Sequence, residues 1–357
     1  MINLVVMEGD GIGPEITGAT LAVLHEADRH FGLGLSYSSA VVGFQALRQH
    51  GTTFPSASLE AAQAADGLIL GPVSHNEYPP VAEGGLNPSG ELRKRLDLYA
   101  NIRPARTRGG FPARCGVPVD LVIVRENTEG FYADRSMHVG PGEFMPTPDL
   151  ALSLRKVTRA GSIRIAESAF ELAMQRRRKV TAVHKANVLR VSEGLFLESV
   201  RAVAARFPQV AYEERIIDAM AALLVRDASQ FDVVVTTNMF GDILSDEASE
   251  IAGSLGLAAS LNAGADHAVA QAQHGSAPDI AGQDRANPAS LIGSVAMLLA
   301  WLGDRQKSAA LTKAAAAIDA ALERAIATPQ WRTPDLGGPL GTKAFGERVA
   351  AMLAKDG

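Results

Sequence analysis

Two aspartates, Asp242 and Asp246, stand four residues apart in the stretch NMFGDILSDEASEI, directly behind an apolar run. Residues at i and i+4 of a helix share a face, with Cβ atoms about 5–6 Å apart, and like charges there repel by a few tenths of a kcal/mol. Two arrangements relieve that repulsion. A helix N-terminus favours negative charge through its macrodipole, and a divalent cation is held by carboxylate oxygens. The stretch alone leaves both open.

Cations that could face an anionic substrate are concentrated in ELRKRLDLYANIRPAR, with Arg93, Arg95, Arg103 and Arg106, and in VRENTEGFY, where Arg125 follows the apolar LVIV. Arginine grips carboxylates through paired hydrogen bonds. Arg93 and Asp97 also stand at i and i+4, so a surface ion pair is the competing expectation for part of this set. Arg125 resists that reading because it lies where an apolar strand emerges. Lys185 and Asn187 likewise close VTAVHKAN, Asp218 closes RIID, and Asn238 closes VVVTTN. In α/β sheets ligands gather at the carboxyl ends of strands. Four such ends with polar groups point to one site.

Two glycine-bearing loops could cradle phosphates. EGDGIGPE has Gly9, Gly11 and Gly13 in G-x-G-x-G order, with Pro14 where a dinucleotide fingerprint needs its third glycine. It reads as a tight strand-to-helix turn, and a Rossmann fold is rejected. HGSAPDIAGQDRANP offers the imidazole of His274, the small residues Gly275 and Ala277, and the acidic Asp279. An acidic side chain that accepts from ribose hydroxyls favours NAD over NADP.

These residues need elements to position them. Apolar runs alternate with helical patterns: INLVVME, LSYSSAVV, DGLILGPV, VDLVIVRE, KVTAVHK, VAYEERIID and FDVVVTTN read as strands, and 14–31, 160–177, 192–206, 289–302 and 306–327 as helices. The pattern predicts an α/β architecture, with strands apolar because both sheet faces are covered. The basic QRRRK (175–179) reads as a helix C-terminus. FYADRSMHVGPGEFMPTPD reads as a long loop or irregular excursion. At 357 residues two domains are expected. The net charge of −5 argues against a general nucleic-acid or anionic-membrane binder. The apolar LIGSVAMLLAWL is too short for a membrane span. A single cysteine, Cys115, and an N-terminus without a basic leader suggest a cytoplasmic protein.

Taken in order, GDGIGPE, LRKRLDLYANIRP, VRENTEGFY, HKANV, NMFGDILSDEASEIAGSLGL and HGSAPDIAGQDRANP resemble the motifs of the isocitrate and isopropylmalate dehydrogenase family, the metal-dependent β-decarboxylating hydroxyacid dehydrogenases. The resemblance runs from about residue 3 to RTPDLGG at 332–338. It implies a two-domain fold with a large mixed sheet flanked by helices. The large cofactor-side domain would take residues 1–98 plus 252–357, and the smaller domain 99–251.

By the same resemblance Asp242 and Asp246, with Asp218 from a partner subunit, would hold Mg²⁺ or Mn²⁺, and Arg93, Arg103 and Arg125 would clamp substrate carboxylates. Tyr132 and Lys185 match the acid–base pair, Lys185 coming from the neighbouring subunit, and Asn187 would reach nicotinamide or substrate. Asp279 followed by Ile280 fits NAD, and His274 and Asn287 match adenine-side contacts. The implied assembly is a homodimer whose sites straddle the interface. Substrate choice would rest on the residues before the clamp helix, where Asn87-Pro88-Ser89 stands. Isopropylmalate-type relatives present leucines at Ser89 and Gly90, and isocitrate-type relatives carry Ser-x-Asn, the order reversed here. A hydroxyl and an amide suit a polar substituent, which favours isocitrate or homoisocitrate, then 3-isopropylmalate. Tartrate or D-malate, and a non-catalytic regulatory subunit, are the alternatives.

Overall fold

The computed structural model describes residues 1–132 and 137–353. The twelve strands of these residues are β1 (Ile2–Met7), β2 (Leu35–Ser39), β3 (Gly67–Leu70), β4 (Ala100–Arg106), β5 (Asp120–Glu126), β6 (Glu143–Thr147), β7 (Leu150–Ser153), β8 (Lys179–His184), β9 (Ala211–Ile216), β10 (Val233–Thr236), β11 (Leu261–Ala263) and β12 (Ala268–Gln271). Ten of them form one sheet in the order β2-β1-β3-β12-β11-β4-β5-β10-β8-β9, and β6 and β7 pair separately. Strand β11 runs antiparallel to both β12 and β4, and β4 runs antiparallel to β5. The flanking runs are parallel. The sheet is therefore mixed, as the resemblance implied, and unlike a Rossmann sheet.

The helices are α1 (Gly13–Phe31), α2 (Gly43–His50), α3 (Ser56–Ala64), α4 (Pro88–Arg95), α5 (Arg159–Met174), α6 (Ser192–Ala204), α7 (Ile217–Asp227), α8 (Asn238–Ala252), α9 (Ala289–Gln306), α10 (Ala309–Ala327) and α11 (Thr342–Leu353). Helix α1 starts with Pro14 in its first turn and ends at Gly32, whose φ of 61° only glycine adopts readily. The seven expected strands are all present, each trimmed at its ends. The helix expected over 306–327 begins later, at Ala309, because α9 runs on to Gln306.

Buried apolar residues fall into groups that follow the sheet. Two groups draw on residues 2–98 and 257–353, and two draw on 100–252. Val122, Val124, Val233, Val235, Val180 and Ala182 are buried on one face of the β5-β10-β8 run, against Phe170 and Phe196 from α5 and α6. Ile123, Val183 and Val234 face Leu244 and Ala248 of α8 on the other. Fully apolar strands result from this double cover.

Two expectations change. The segment read as an excursion contains β6, which pairs with β7 in a hairpin whose every residue is exposed. Residues 133–136 of that segment lie outside the described residues. Strand β9 ends at Ile216, so Asp218 does not close a strand but sits in the first turn of α7.

Candidate active site

Strand β5 carries the chain through its apolar run to Arg125, which is 1% exposed. A buried guanidinium requires partners, and α8 supplies them. Its first residue, Asn238, accepts from Arg125 Nε at 2.9 Å and Nη2 at 2.6 Å. One turn on, Asp242 Oδ1 accepts from Arg125 Nη1 and from Arg103 Nη1, the latter at 3.1 Å. Arg103 Nη1 also reaches Ser245 Oγ at 2.7 Å and Asp246 Oδ1 at 3.3 Å. Tyr132 donates its hydroxyl to Asp242 Oδ2 at 3.3 Å, and its ring centre lies 5.7 Å from the Arg125 guanidinium carbon. The approach of α8 depends on Gly241, where a Cβ would stand 2.7 Å from Cβ and Cγ of Arg125.

The repulsion between Asp242 and Asp246 is thus met within one chain by arginine. Burial pushes the Asp242 carboxyl up, and Arg125, Arg103 and Arg93 more than reverse this, holding it below the usual range. Burial, then the like charge of Arg125, brings Arg103 down to about 10, so it stays cationic at neutrality. Arg93, Arg103, Arg125, Tyr132 and Asp242 line one cleft of about 810 Å³, together with Asn87, Ser89, His274 and Gly275. Within it, Asn87 has its carbonyl engaged with Gly90 N as the cap of α4. The expected Arg93–Asp97 pair does not form. Asp97 lies past the end of α4 with φ 45° and pairs with Arg164 at 2.8 Å.

Lys185, Asn187 and Asp218 are elsewhere. The Lys185 ammonium pairs with the Asp218 carboxylate, and Asn187 is exposed. They lie on the same edge of the sheet as Arg125, because β5, β10, β8 and β9 are parallel neighbours. Adjacent strands are about 4.8 Å apart, so Asp218, in the first turn of α7 just beyond β9, the third strand from β5, is roughly 14 Å along the sheet from Arg125. One chain assembles the arginines, Tyr132, Asp242 and Asp246, and leaves the other three outside the cleft. Among the described residues no group of three or more His, Cys, Asp or Glu is close enough to hold a metal ion.

The glycine turn packs under the second loop. Ile12 N donates to Ser276 O at 2.9 Å, and a Cβ on Gly11 would meet that carbonyl at 2.0 Å. What approaches the glycines is therefore the chain's own backbone. Ala277 takes a left-handed conformation, φ 37°, and opens a short 3₁₀ turn, Pro278–Ile280, that leaves Asp279 exposed. His274 donates through Nδ1 to Gly275 O at 3.0 Å, while its Nε2 is buried without a partner among the described residues. Burial lowers the His274 pKa. Asn287 is committed inward: Nδ2 donates to Asp335 at 2.9 Å and Oδ1 accepts from Ala289 N at 2.9 Å. Its side chain is thus held between α9 and the 332–338 loop.

Sequence reading missed Gln271 and Gln273, which line the same cleft. Gln273 Nε2 donates to Asp246 Oδ1 at 2.7 Å, and its Oε1 is buried without a partner. The available signal was their spacing: two amides at i and i+2, leaving an apolar strand on one side.

The donor chemistry fits both implied groups. Asp242 and Asp246 direct one oxygen each to the same Arg103 nitrogen, so two hard carboxylate ligands already converge on a positive charge. For a nucleotide, the orphaned His274 Nε2 offers a polar contact beside an exposed acidic turn.

The isocitrate/isopropylmalate dehydrogenase family profile matches residues 3–349. A 3-isopropylmalate dehydrogenase of Sulfurisphaera tokodaii is 39% identical over 94% of both chains. An isocitrate/homoisocitrate dehydrogenase of Thermus thermophilus is 41% identical over 98% of both. The crystal structure of isocitrate dehydrogenase from Methylococcus capsulatus superposes with a TM-score of 0.87 at 38% identity, covering 99% of each chain.

Proposed function

Because this chain belongs to the isocitrate/isopropylmalate dehydrogenase family of decarboxylating dehydrogenases, we propose that it oxidises a malate-type 2-hydroxy acid with NAD and releases the neighbouring carboxylate as CO₂. The observation that carries this reading is the convergence of Arg103, Arg125 and Tyr132 on Asp242 in one cleft. Two cations, a phenol and a carboxylate in contact are the groups that seat a dicarboxylate and move its protons.

Asp242 and Asp246, with Asp218 of the partner subunit, would hold Mg²⁺ or Mn²⁺, and the His274–Ile280 loop with Asn287 would hold NAD. When bound, these supply polarisation of the C2 oxygen and a hydride acceptor. Arg93, Arg103 and Arg125 seat the carboxylates, which fixes the reacting carbon. Lys185 of the partner subunit takes the hydroxyl proton as C2 becomes a ketone. The electron pair left on the adjacent carbon when CO₂ departs is quenched by a proton from Tyr132. Asn187 of the partner subunit steadies the ring or the substrate. Asn87 and Ser89 face the remaining substituent, and isocitrate or homoisocitrate suits them better than 3-isopropylmalate.

A shared site explains the exposed side chains. Val188, Val191, Val225 and Ile243 are 65%, 88%, 61% and 59% exposed around Lys185 and α8. The β6–β7 hairpin exposes Phe144, Met145, Leu150 and Leu152 as well. Apolar surface of this kind supports a homodimer interface. Two lobes, residues 1–98 with 252–357 and residues 99–251, would flank the cleft.

The test is NADH absorbance with purified protein, Mn²⁺, NAD and a panel of isocitrate, homoisocitrate, 3-isopropylmalate, tartrate and D-malate. Turnover of at least one is expected. Tight binding without turnover of any would make the chain a regulatory subunit instead.

A further inference from the structure

One amide on the cleft floor has no part in the reaction above. Gln271, the last residue of β12, lines the cleft with Ser89, Arg125 and Tyr132. Its Oε1 accepts from Ser89 Oγ at 3.0 Å and from Asn262 Nδ2 at 3.2 Å. Which end of this amide is turned to the cleft is set by a distant backbone group. The carbonyl of Leu98 can only accept, so Asn127 must present Nδ2 to it, at 2.9 Å. The same Nδ2 donates to Asn262 Oδ1 at 3.0 Å. Asn101 Nδ2, tied to Leu261 O at 3.4 Å, donates to that oxygen too, at 3.2 Å. Asn262 is left with Nδ2 facing Gln271, and Gln271 with Oε1 facing Asn262. Asn101 and Asn127 are 0% exposed and Asn262 is 1% exposed, so water offers none of the three an alternative partner. Turning Asn262 over would set its buried donor against the donors of Asn101 and Asn127, and turning Asn101 or Asn127 over would set a buried oxygen against oxygens. The chain of amides leaves Gln271 Nε2 on the cleft side, with no hydrogen-bond acceptor among the described residues.

We propose that Gln271 Nε2 is a specificity-determining donor for the substituent on C3 of the substrate, selecting a carboxylate there over an alkyl group. This rests on the oxidative decarboxylation reading, which seats the common malate part on the arginines. A carboxylate beside Nε2 completes the network. An isopropyl group strips water from the amide and returns no hydrogen bond. A site organised to donate a hydrogen bond discriminates against an analogue without the acceptor more strongly than an apolar pocket discriminates by size.

The experiment compares the full-length protein with Gln271→Met and Gln271→Glu, using isocitrate and 3-isopropylmalate. It measures the Kd of each acid by calorimetry with Mn²⁺ present, and kcat/KM with NAD added. The unaltered protein should prefer isocitrate at least tenfold. Gln271→Met should erase most of that preference through Kd and KM, with kcat nearly unchanged. Gln271→Glu, which sets a carboxylate against the carboxylate, should invert it. Equal losses for both acids in both variants would make Gln271 merely structural and overturn the proposal, as would a preference for 3-isopropylmalate in the unaltered protein. A binding preference that tracks Gln271 without turnover by any form would sustain this proposal and sink the reaction assigned above. Turnover with a preference indifferent to Gln271 would do the reverse. A melting curve for each variant separates loss of fold from loss of preference.

Discussion

Asp242 shows how far single residues can be read. Its type and its place behind an apolar strand marked it as a site residue, and so did Arg125 at a strand exit. The three arginine neighbours of Asp242 come from 117 to 149 positions away in the chain, and no local pattern announces them. Gln271, Asn262, Asn127 and Asn101 were invisible for a related reason: isolated amides read by default as turn formers, and their network closes only across strands. His274 allows a pH test at this scale. Burial holds its pKa below the ordinary 6.5, so the folded state binds this proton less readily than the unfolded chain. The stability it contributes is present above that ordinary value and is lost as pH falls towards the folded pKa. Melting temperature should therefore decline from about pH 7 to about 5.5, and His274→Asn should decline less steeply. His184, lowered by burial in the same direction, accounts for slope that remains. Parallel melting curves for the two proteins across this window would remove His274 as a source.

At the scale of elements, the strands that were legible all belong to the two parallel runs of the sheet. Of the missed ones, β6 and β7 form the separate hairpin, and β4, β11 and β12 form the middle of the sheet, where its antiparallel pairings lie. Strand β4 contains Pro104 and two arginines, and β11 is three residues long, so neither offers a period to detect. The packing of α8 on β5 is equally silent in sequence, although one glycine governs it. Gly241→Ala should cost about 1–3 kcal/mol of stability, since its methyl would overlap the stem of Arg125. Displacing that guanidinium should raise KM about tenfold. Gly194→Ala on α6 is the matched control: its methyl meets nothing within 4 Å, and alanine favours the helix. Chemical denaturation and steady-state kinetics check both, and an unaffected Gly241→Ala protein would mean that α8 and β5 pack less closely than described.

For the whole molecule, the separation of Lys185 and Asp218 from the Asp242 cleft makes a sharp prediction. Asp242→Asn and Lys185→Met should each be nearly inactive alone. If each site takes its lysine from the partner, a dimer of one variant with the other has one doubly damaged site and one intact site. Statistical reassortment of the two inactive proteins should then restore about a quarter of normal activity. No recovery, with mixed dimers verified by mass spectrometry, would place all catalytic groups in a single chain. The β6–β7 hairpin carries the same logic into folding. A two-stranded ribbon without a buried face is barely stable by itself in water, and every residue of this one is open to solvent in the isolated chain. If a second copy of the chain covers it, its order becomes a property of concentration: on dilution the ribbon should fray before the ten-stranded sheet does, and the amide hydrogens of residues 143–153 should exchange faster the thinner the solution becomes.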